Sequence, residues 1–304
     1  MTIDWGRHFR DAGHASAQPI GAGMEGSVYR LGDGLVGKVW LDRDLASVEV
    51  MQAVYASAGA HALPFALPSV VSVYAHAGHT VSIERELHGH RLKERVAPER
   101  RELDPRVVEA IAVVVEGVAT IPGTEVMRAL PVLGETQPFY APGQTWNEAL
   151  VALAHRRLDR FGDQLAASVP GFEALAAALL ARVAELPTAG AALIHGDVCP
   201  ENILVDDDLR PTALLDFGFL STCGDPAFDA ALTPAITDMY GPLAREHERA
   251  VQARLPDDPV RSALYRGVYG ALTSNAYDPA GADGQYAFCV GLLRRPELRD
   301  ALGL

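Results

Sequence analysis

The sequence predicts an α+β fold in which a small β-rich N-terminal part precedes a larger α-rich C-terminal part. Short apolar runs separated by turn residues, typical of hairpins, are concentrated before residue 88. Longer segments with helical apolar spacing predominate after residue 104. A chain of 304 residues can also bury a sizeable core. We therefore expect two lobes, at residues 1–88 and 89–304.

The composition is that of a globular protein without a membrane segment. No apolar run approaches the ~18 residues of a membrane helix, and Met1–Arg10 does not have the pattern of a secretory signal. Cys199, Cys223 and Cys289 lack C-x-x-C spacing, which argues against a disulfide framework or a zinc site. We expect a cytoplasmic protein with reduced cysteines and no contact with membranes.

The negative charge is concentrated in the C-terminal part. The formal net charge is −13, of which residues 104–304 carry −12. Nucleic acid is therefore not expected as a partner. An acidic surface raises the local concentration of cationic ligands, although excess carboxylates also keep proteins soluble. Both explanations of the charge remain open at this point.

A glycine-rich segment near the N-terminus predicts a phosphate-binding loop. Residues 21–28 match G-x-G-x-x-G-x-V, and glycines allow backbone N–H groups to approach a triphosphate closely. A dinucleotide-binding fold would require a helix directly after the last glycine. Ser27–Leu31 and Leu35–Trp40 instead predict a hairpin. The candidate nucleotide-binding residues in this segment are Gly21, Gly23, Gly26 and Ser27.

Lys38 lies near the middle of the predicted strand Leu35–Trp40. The chain contains two lysines among its 26 basic Lys and Arg residues, so arginine is its usual cation. A lysine at this position indicates a need for a compact ammonium group. The next segment, Leu45–Tyr55, has helical spacing. Glu49 on this helix is the candidate ion-pair partner of Lys38, and a solvated surface glutamate is the alternative.

The remaining elements follow from the same patterns. Val70–Tyr74 and Thr80–Ile83 predict two further strands. The Pro- and Gly-rich segment Ile121–Gly143 is too long for a simple connector and is expected to border a functional site. Apolar spacing and N-terminal capping residues predict a succession of helices. These helices cover Val107–Thr120, Thr145–Arg160, Phe172–Leu186, Phe228–Tyr240, Leu243–Ala253, Val260–Ala276 and Gln285–Leu293.

The chemically richest stretch surrounds a predicted hairpin formed by Ile203–Val205 and Thr212–Leu215. Asp197 and Asn202 precede the first strand, and Asp216 follows the second, so the hairpin would bring all three together. Two carboxylates and an amide oxygen suit a proton acceptor beside a hard-cation site. Aspartates that merely cap turns are the alternative. The compound spacing His-Gly-Asp-x-x-x-x-Asn, followed by Asp-Phe-Gly, argues against that alternative.

These motifs together resemble those of the protein-kinase-like superfamily, specifically the aminoglycoside phosphotransferase family of small-molecule kinases. The resemblance implies a bilobal protein-kinase-like fold and transfer of the γ-phosphoryl group of ATP or GTP to a hydroxyl group. It implies that Lys38 contacts the α- and β-phosphates, that Asp197 faces the acceptor hydroxyl, and that Asn202 and Asp216 hold Mg²⁺. The crossover between lobes would contact the purine. Its residues are Glu84, Arg85, Glu86 and Leu87.

Two departures from protein kinases favour a small-molecule acceptor. Gly196 stands where protein kinases carry arginine, and no long activation segment separates Gly218 from Asp225. The best-known acceptors of the family are antibiotics, and the acidic C-terminal part is compatible with a cationic one such as an aminoglycoside. A metabolite kinase acting on an amino alcohol or a sugar hydroxyl would share every motif. A pseudokinase binding module would lack a catalytic residue, whereas every expected one is present here.

Overall fold

The computed structural model describes residues 3–23, 25–135, 137–187 and 190–304, so Met24 of the glycine-rich segment lies outside the described residues. The N-terminal part begins with helix α1 (Trp5–Asp11). A five-stranded antiparallel sheet follows, in the order β1-β2-β3-β5-β4. Helix α2 (Leu45–Ala58) lies between β3 and β4 in the chain. The strands are β1 (Gln18–Ala22), β2 (Gly26–Gly32), β3 (Leu35–Trp40), β4 (Val70–His76) and β5 (His79–Arg85).

Two-residue turns close two hairpins of this sheet. Gly32 pairs with Leu35 across β2 and β3, so Asp33-Gly34 forms the turn, with φ angles of 53° and 68°. Both central residues of such a turn need positive φ, which Asp and Gly tolerate. The β4–β5 turn is Ala77-Gly78, with φ angles of 48° and 82°. Both strands are therefore longer than predicted, because Ala77 adopts a conformation that its sequence does not signal.

The C-terminal part is mainly helical, with two small antiparallel sheets. Its strands are β6 (His90–Arg91), β7 (Ala192–Ile194), β8 (Ile203–Val205), β9 (Pro211–Leu214) and β10 (Thr222–Gly224). The 3₁₀ turn Leu92–Arg95 follows β6. The helices are α3 (Pro105–Ala119), α4 (Glu125–Arg128), α5 (Trp146–Ser168), α6 (Phe172–Ala184), α7 (Ala227–Ile236), α8 (Ala244–Gln252), α9 (Pro259–Thr273), α10 (Gly284–Leu293) and α11 (Pro296–Leu302).

Helix α5 extends eight residues beyond its predicted end at Arg160. Phe161 and Leu165 are buried and continue its apolar stripe, so tertiary packing carries the helix on to Ser168. Seven short helices and strands of the described residues were not predicted from the sequence. Each has seven residues or fewer, too short for a periodic pattern, and depends on tertiary partners. They are α1, β1, β6, α4, β7, β10 and α11.

The core of the described residues divides into three apolar clusters. The largest packs α5, α6, α7, α9 and α10 against one another. The smallest lies against the N-terminal sheet, where Phe9 of α1 is fully buried. The third includes Trp40 of β3, α2, α3 and the β8–β9 hairpin. This cluster crosses the predicted boundary between residues 88 and 89, and that boundary stays a prediction.

Within residues 3–23, 25–135, 137–187 and 190–304, no helix is both long enough and apolar enough to cross a membrane.

Candidate active site

The β8–β9 hairpin assembles three polar residues that are separated in the sequence. Ile203 pairs with Leu214, which confirms the predicted hairpin. Beyond the strands, the N–H of Leu215 donates to the carbonyl oxygen of Asn202 at 2.7 Å. This bond places Asp216, the next residue, beside the loop that carries Asn202. The hairpin therefore positions both ends of the site.

Asn202 is buried, and the nitrogen of its side-chain amide is already hydrogen-bonded. Its Nδ2 donates to both the carbonyl oxygen and Oδ2 of Asp197, each at 3.0 Å. Because only the nitrogen can donate, these bonds fix the orientation of the amide. The Oδ1 atom of Asn202 thus points away from Asp197 and is available as a hard oxygen ligand.

Asp197 lies in a recessed loop where its negative charge is disfavoured. Burial raises the pKa of Asp197 to about 6. The hydrogen bond from Asn202 opposes this shift, whereas the charges of Glu201 and Asp216 add to it. A carboxylate with a raised pKa is a better proton acceptor than an ordinary aspartate. Asp197 therefore has the properties of a general base.

His195 connects the Asp197 loop to the end of β9. The N–H of Asp197 donates to Nδ1 of His195 at 3.2 Å, and Nε2 of His195 lies 2.8 Å from the carbonyl oxygen of Leu215. A backbone N–H can only donate, so Nδ1 is the acceptor and Nε2 carries the proton. Burial lowers the pKa of His195 to about 4, although both hydrogen bonds partly offset it. His195 is thus neutral, and its hydrogen bonds connect the Asp197 loop to the end of β9.

Asp229 of α7 holds the same loop from the other side. Its carboxylate accepts from the N–H groups of His195 and Gly196, both at 2.8 Å. Burial raises the pKa of Asp229 to about 6, against these two hydrogen bonds. Gly196 has a φ of 77°, and an added Cβ would collide with Leu220. Glycine is therefore required before Asp197 for steric reasons.

Asp216 lies at the solvent-exposed edge of the group formed with Asp197 and Asn202, in a strained backbone conformation. Its φ is 55°, in the left-handed region that non-glycine residues rarely occupy. Phe217 holds it in place, because that ring is buried against His195 at 4.4 Å and Tyr55 at 5.4 Å between centroids. The Asp216 carboxylate is about half exposed, and its Oδ1 lies 4.0 Å from Nζ of Lys38.

Lys38 pairs with a different carboxylate from the one expected. Its Nζ lies 2.6 Å from Oε2 of Glu25, and 3.7 Å from the centroid of the Trp40 ring. Glu49 is exposed on α2 and forms no ion pair with Lys38, so that prediction was wrong. The reason is helical phase. The buried face of α2 contains Val48, and Glu49 turns away from the sheet.

The glycine-rich segment forms the β1–β2 hairpin. Gly21 pairs with Val28, and a strand rather than a helix begins at Gly26. A Cβ on Gly26 would overlap the carbonyl oxygen of Val39, so glycine is required there by close backbone approach. An added Cβ on Gly21 or Gly23 would meet no atom of the other described residues within 4 Å. Ser27 is paired with Val39 inside the sheet.

Two backbone N–H groups of the predicted purine-contacting segment are already hydrogen-bonded to other backbone carbonyl groups. The N–H of Arg85 donates to the carbonyl oxygen of Ser69, and the N–H of Glu86 donates to that of Gly34, both at 2.8 Å. Arg30 also pairs with the Glu86 carboxylate at 2.7 Å. Glu86 thus fastens the strand end. Leu87, half-buried, follows directly in the chain.

The side chain of Glu84 is hydrogen-bonded within the N-terminal sheet. Ser82 donates to its Oε1 at 2.5 Å and itself accepts from Nε1 of Trp40 at 2.9 Å. Burial raises the pKa of Glu84, and Asp216 and Glu25 contribute to the increase, whereas Ser82 and Lys38 oppose it. Glu84 therefore lies within electrostatic range of Lys38, Glu25 and Asp216.

The residues present fit a magnesium ion. Among the described residues, no three His, Cys, Asp or Glu side chains form a complete metal site. The Oδ1 atom of Asn202 and the carboxylate of Asp216 nevertheless supply two hard oxygen donors at one end of the hairpin. Mg²⁺ is commonly bound by one or two protein ligands together with substrate phosphates and water.

Two tyrosine side chains lie within electrostatic range of Asp197. Burial is the largest cause that raises the pKa values of Tyr277 and Tyr240, and the charge of Asp197 contributes to both shifts. The Tyr277 ring stacks on Phe219 at a centroid distance of 5.5 Å. The burial is only partial, because 48% of Tyr277 and 65% of Tyr240 is accessible to solvent. The N–H of Leu133 donates to the Phe219 carbonyl oxygen at 2.8 Å. The predicted bordering segment 121–143 therefore reaches this surface.

The acidic residues of the C-terminal helices are largely occupied elsewhere. Each has an arginine, lysine, histidine, hydroxyl or backbone N–H partner. These residues are Asp238, Glu246, Glu248, Asp257, Asp258, Asp278 and Asp283. Near Asp197, Glu201 pairs with Lys93 at 3.3 Å. These seven carboxylates are thus engaged in structural contacts.

Two residues of the cluster around Lys38 were missed in the sequence. Glu25 and Arg43 both belong to it, since Arg43 lies 3.0 Å from Oε1 of Glu25. The register of the β2–β3 hairpin could have indicated this proximity. A turn at Asp33-Gly34 places Gly26 opposite Trp40, so Glu25, just before Gly26, lies near the residues that follow Trp40.

Comparison with solved structures identifies the fold as protein-kinase-like. Aminoglycoside phosphotransferase APH(3'')-Id from Streptomyces rimosus, in complex with ADP and streptomycin, is 20% identical, with a TM-score of 0.55 over 90% of this chain and 99% of that chain. Macrolide 2'-phosphotransferase MphH from Brachybacterium faecium is 18% identical, with a TM-score of 0.55 over 93% of each chain. The GDP complex of a variant of aminoglycoside 2'-phosphotransferase IIIa is 15% identical, with a TM-score of 0.60 over 94% and 93%.

The sequence itself identifies the family. The profile described as the phosphotransferase enzyme family matches residues 16–265, and the chain belongs to that family. Comparison with curated proteins finds no match. The predictions of a kinase-like α+β fold and of the aminoglycoside phosphotransferase family are confirmed.

Proposed function

We propose that the protein transfers the γ-phosphoryl group of ATP or GTP to a hydroxyl group of a small molecule. The observation that carries this proposal is the cluster at the end of the β8–β9 hairpin. Asn202 bonds to Asp197 at 3.0 Å, and Asp216 lies 4.0 Å from Lys38. One proton acceptor, two oxygen ligands and one phosphate-binding cation are thus joined. Phosphoryl transfer depends chiefly on such positioning and charge stabilisation.

Each residue has a distinct role in the proposed reaction. Asp197 orients the acceptor hydroxyl and accepts its proton. Lys38 and the glycine-rich hairpin hold the donor phosphates, and the segment from Glu84 to Leu87 contacts the base. Asn202 and Asp216 would hold Mg²⁺, which supplies charge neutralisation on the phosphates when bound. Related structures contain ADP or GDP, which supports ATP or GTP as the phosphoryl donor.

We propose an antibiotic as the acceptor, with resistance by inactivation as the biological outcome. Support comes from the solved relatives, which include streptomycin and kanamycin complexes and a macrolide phosphotransferase. The excess negative charge favours a cationic acceptor. Two exposed rings within electrostatic range of Asp197 favour an acceptor with an apolar or sugar-ring face that can lie on them. They are the rings of Tyr240 and Tyr277.

A metabolite kinase remains the second candidate. The observation in its favour is that the acidic residues of the C-terminal helices are engaged in structural contacts, so a dedicated site for a polycationic antibiotic is not evident in the described residues. A pseudokinase module is disfavoured, because Lys38, Asp197, Asn202 and Asp216 lie together.

The deciding experiment is a panel of acceptors with labelled ATP and GTP. It should include aminoglycosides, macrolides, amino alcohols and sugars, with Asp197→Asn as the inactive control. Transfer to an antibiotic at catalytic efficiency well above that for metabolites supports the proposal. Efficient transfer to a metabolite alone would replace it, and nucleotide binding without transfer to any acceptor would favour the pseudokinase.

A further inference from the structure

Glu25 of the glycine-rich hairpin bridges two cations. Its Oε2 lies 2.6 Å from Nζ of Lys38, and its Oε1 lies 3.0 Å from Nη2 of Arg43. The two oxygens of one carboxylate are thus divided between two positive side chains. Both cations are well protected, with side-chain exposures of 15% for Lys38 and 20% for Arg43.

Arg43 occupies the space between the glycine-rich hairpin and the Asp-Phe-Gly segment. Its guanidinium packs against the backbone of Gly218 so closely that an added Cβ there would overlap it. It also lies 5.4 Å from the centroid of the Trp40 ring, which Lys38 contacts at 3.7 Å. Arg43 therefore reaches the region bounded by Lys38 and Asp216.

The two cations of this region share a single carboxylate, that of Glu25. Burial raises the pKa of Glu25, but the coulombic attraction and hydrogen bonds of Lys38 and Arg43 outweigh it, so the pKa lies below its ordinary value. Glu25 is therefore held as a carboxylate by two neighbouring cations. Phosphate oxygens satisfy lysine and arginine donors in the same manner as a carboxylate, with greater negative charge.

We propose that Arg43 is a second phosphate-binding cation of the nucleotide site, and that Glu25 is exchanged for phosphate oxygens when the nucleotide binds. This inference rests on the proposed function, since it assumes that Lys38 faces the donor phosphates. The carbonyl oxygen of Glu25 accepts from the N–H of Leu41 at 3.0 Å. That bond keeps the backbone in place while the side chain rotates away.

A purely structural ion pair makes the opposite prediction. If Glu25 and Arg43 only fasten the hairpin to β3, loss of either charge loosens the nucleotide site and weakens binding. If Glu25 competes with phosphate, removal of its charge strengthens binding, because the nucleotide no longer displaces it from two cations. Glu25→Gln therefore separates the two explanations, with little change in shape.

The test measures calorimetric affinity for the magnesium complexes of ATP and GTP, and for adenosine and guanosine. The variants are Arg43→Ala, Arg43→Lys and Glu25→Gln, with thermal unfolding to check the fold. Arg7→Ala is the control, since Arg7 is an exposed arginine of α1 paired with Asp11. Nucleosides lack phosphates and report the base and ribose contacts alone.

We expect Arg43→Ala to weaken triphosphate binding about tenfold or more, as for other charge-assisted hydrogen bonds. Nucleoside affinity should stay within about twofold of wild type, because only phosphate contacts are lost. Arg43→Lys should restore part of the loss, Glu25→Gln should bind triphosphate more tightly than wild type, and Arg7→Ala should match wild type. Weaker or unchanged triphosphate binding by Glu25→Gln overturns the inference.

An equal effect of Arg43→Ala on nucleoside and triphosphate would also overturn the inference. If Arg43→Ala does not fold, the result for Glu25→Gln decides alone. Failure of the wild-type protein to bind any magnesium–nucleotide complex would instead overturn the proposed function, so the two failures are distinguishable.

Discussion

Nδ2 of Asn202 donates to Oδ2 of Asp197 at 3.0 Å, so the candidate metal ligand and the candidate base are a single hydrogen-bonded unit. The bond orients the Asp197 carboxylate and leaves Oδ1 of Asn202 free for a cation. A variant at position 197 leaves Asn202 in place only if it keeps an oxygen that accepts this bond, as Asp197→Asn does. This coupling governs how the variants of the site should be interpreted.

Asp197→Asn should lower turnover by about 10² or more while nucleotide affinity stays nearly unchanged, since the loss falls on the transition state. The substitution preserves shape and removes the basic oxygen. Steady-state kinetics with the preferred acceptor, together with nucleotide titration, measure the two effects. Near-normal turnover in this variant would remove Asp197 from the mechanism.

The pH dependence of kcat/KM should report Asp197 in the free enzyme. Its pKa of about 6 means that the carboxylate is protonated at lower pH and cannot accept the hydroxyl proton. We expect kcat/KM to fall as pH decreases through about 6. Because the charge of Glu201 contributes to the raised pKa, Glu201→Gln should move this limb to lower pH. A limb that stays in place would exclude Asp197 as the titrating group.

Asp216→Ala should abolish magnesium-dependent nucleotide binding, because bridging to the phosphates couples metal and nucleotide. Asp208→Ala is a matched control. It removes an exposed carboxylate from the turn of the same hairpin and should bind nucleotide normally. Calorimetry with and without magnesium measures both variants. Unchanged magnesium–nucleotide affinity in Asp216→Ala would refute its assignment as a ligand.

The sequence was most informative where a function depends on local spacing. The β8–β9 and β2–β3 hairpins both follow from residues that are near one another in the chain. The choice of Glu49 failed because a helix can be recognised from its apolar spacing while its phase against the sheet remains unknown. Tertiary packing decided that Glu25 rather than Glu49 meets Lys38. The three-residue strands β7 and β10 pair only through the fold and carry no periodic signal.

Two glycines of the same hairpin should respond differently to alanine. Gly26→Ala places a Cβ against the Val39 carbonyl oxygen, so the free energy of unfolding should fall by about 1–3 kcal/mol. Gly23→Ala adds a Cβ that meets no atom of the other described residues within 4 Å. It should leave stability nearly unchanged, and it should weaken nucleotide binding if the phosphates approach this backbone. Denaturant unfolding and nucleotide titration of both variants test the assignment. Equal stability losses would contradict the steric argument.

The charge of the acceptor can be determined from the salt dependence of catalysis. Residues 104–304 carry a net charge of −12, which should attract an acceptor with amino groups and speed its encounter. The individual carboxylates of the C-terminal helices are engaged in structural contacts, so this attraction would come from the general field rather than from a few dedicated pairs. Interactions between exposed charges are screened beyond ~8–10 Å at physiological salt. A field effect is therefore highly sensitive to salt.

For a cationic acceptor, kcat/KM should fall markedly as salt rises, whereas turnover at saturating acceptor should change little, because screening acts on encounter and not on the bound complex. An acceptor that lies on the exposed rings of Tyr240 and Tyr277 without bearing charge should show almost no salt dependence. For such an acceptor, Tyr277→Ala should instead raise KM. Kinetics over a salt series, at saturating magnesium–nucleotide, separate the two cases. A flat kcat/KM together with a raised KM in Tyr277→Ala would reject the cationic acceptor and leave the kinase assignment intact.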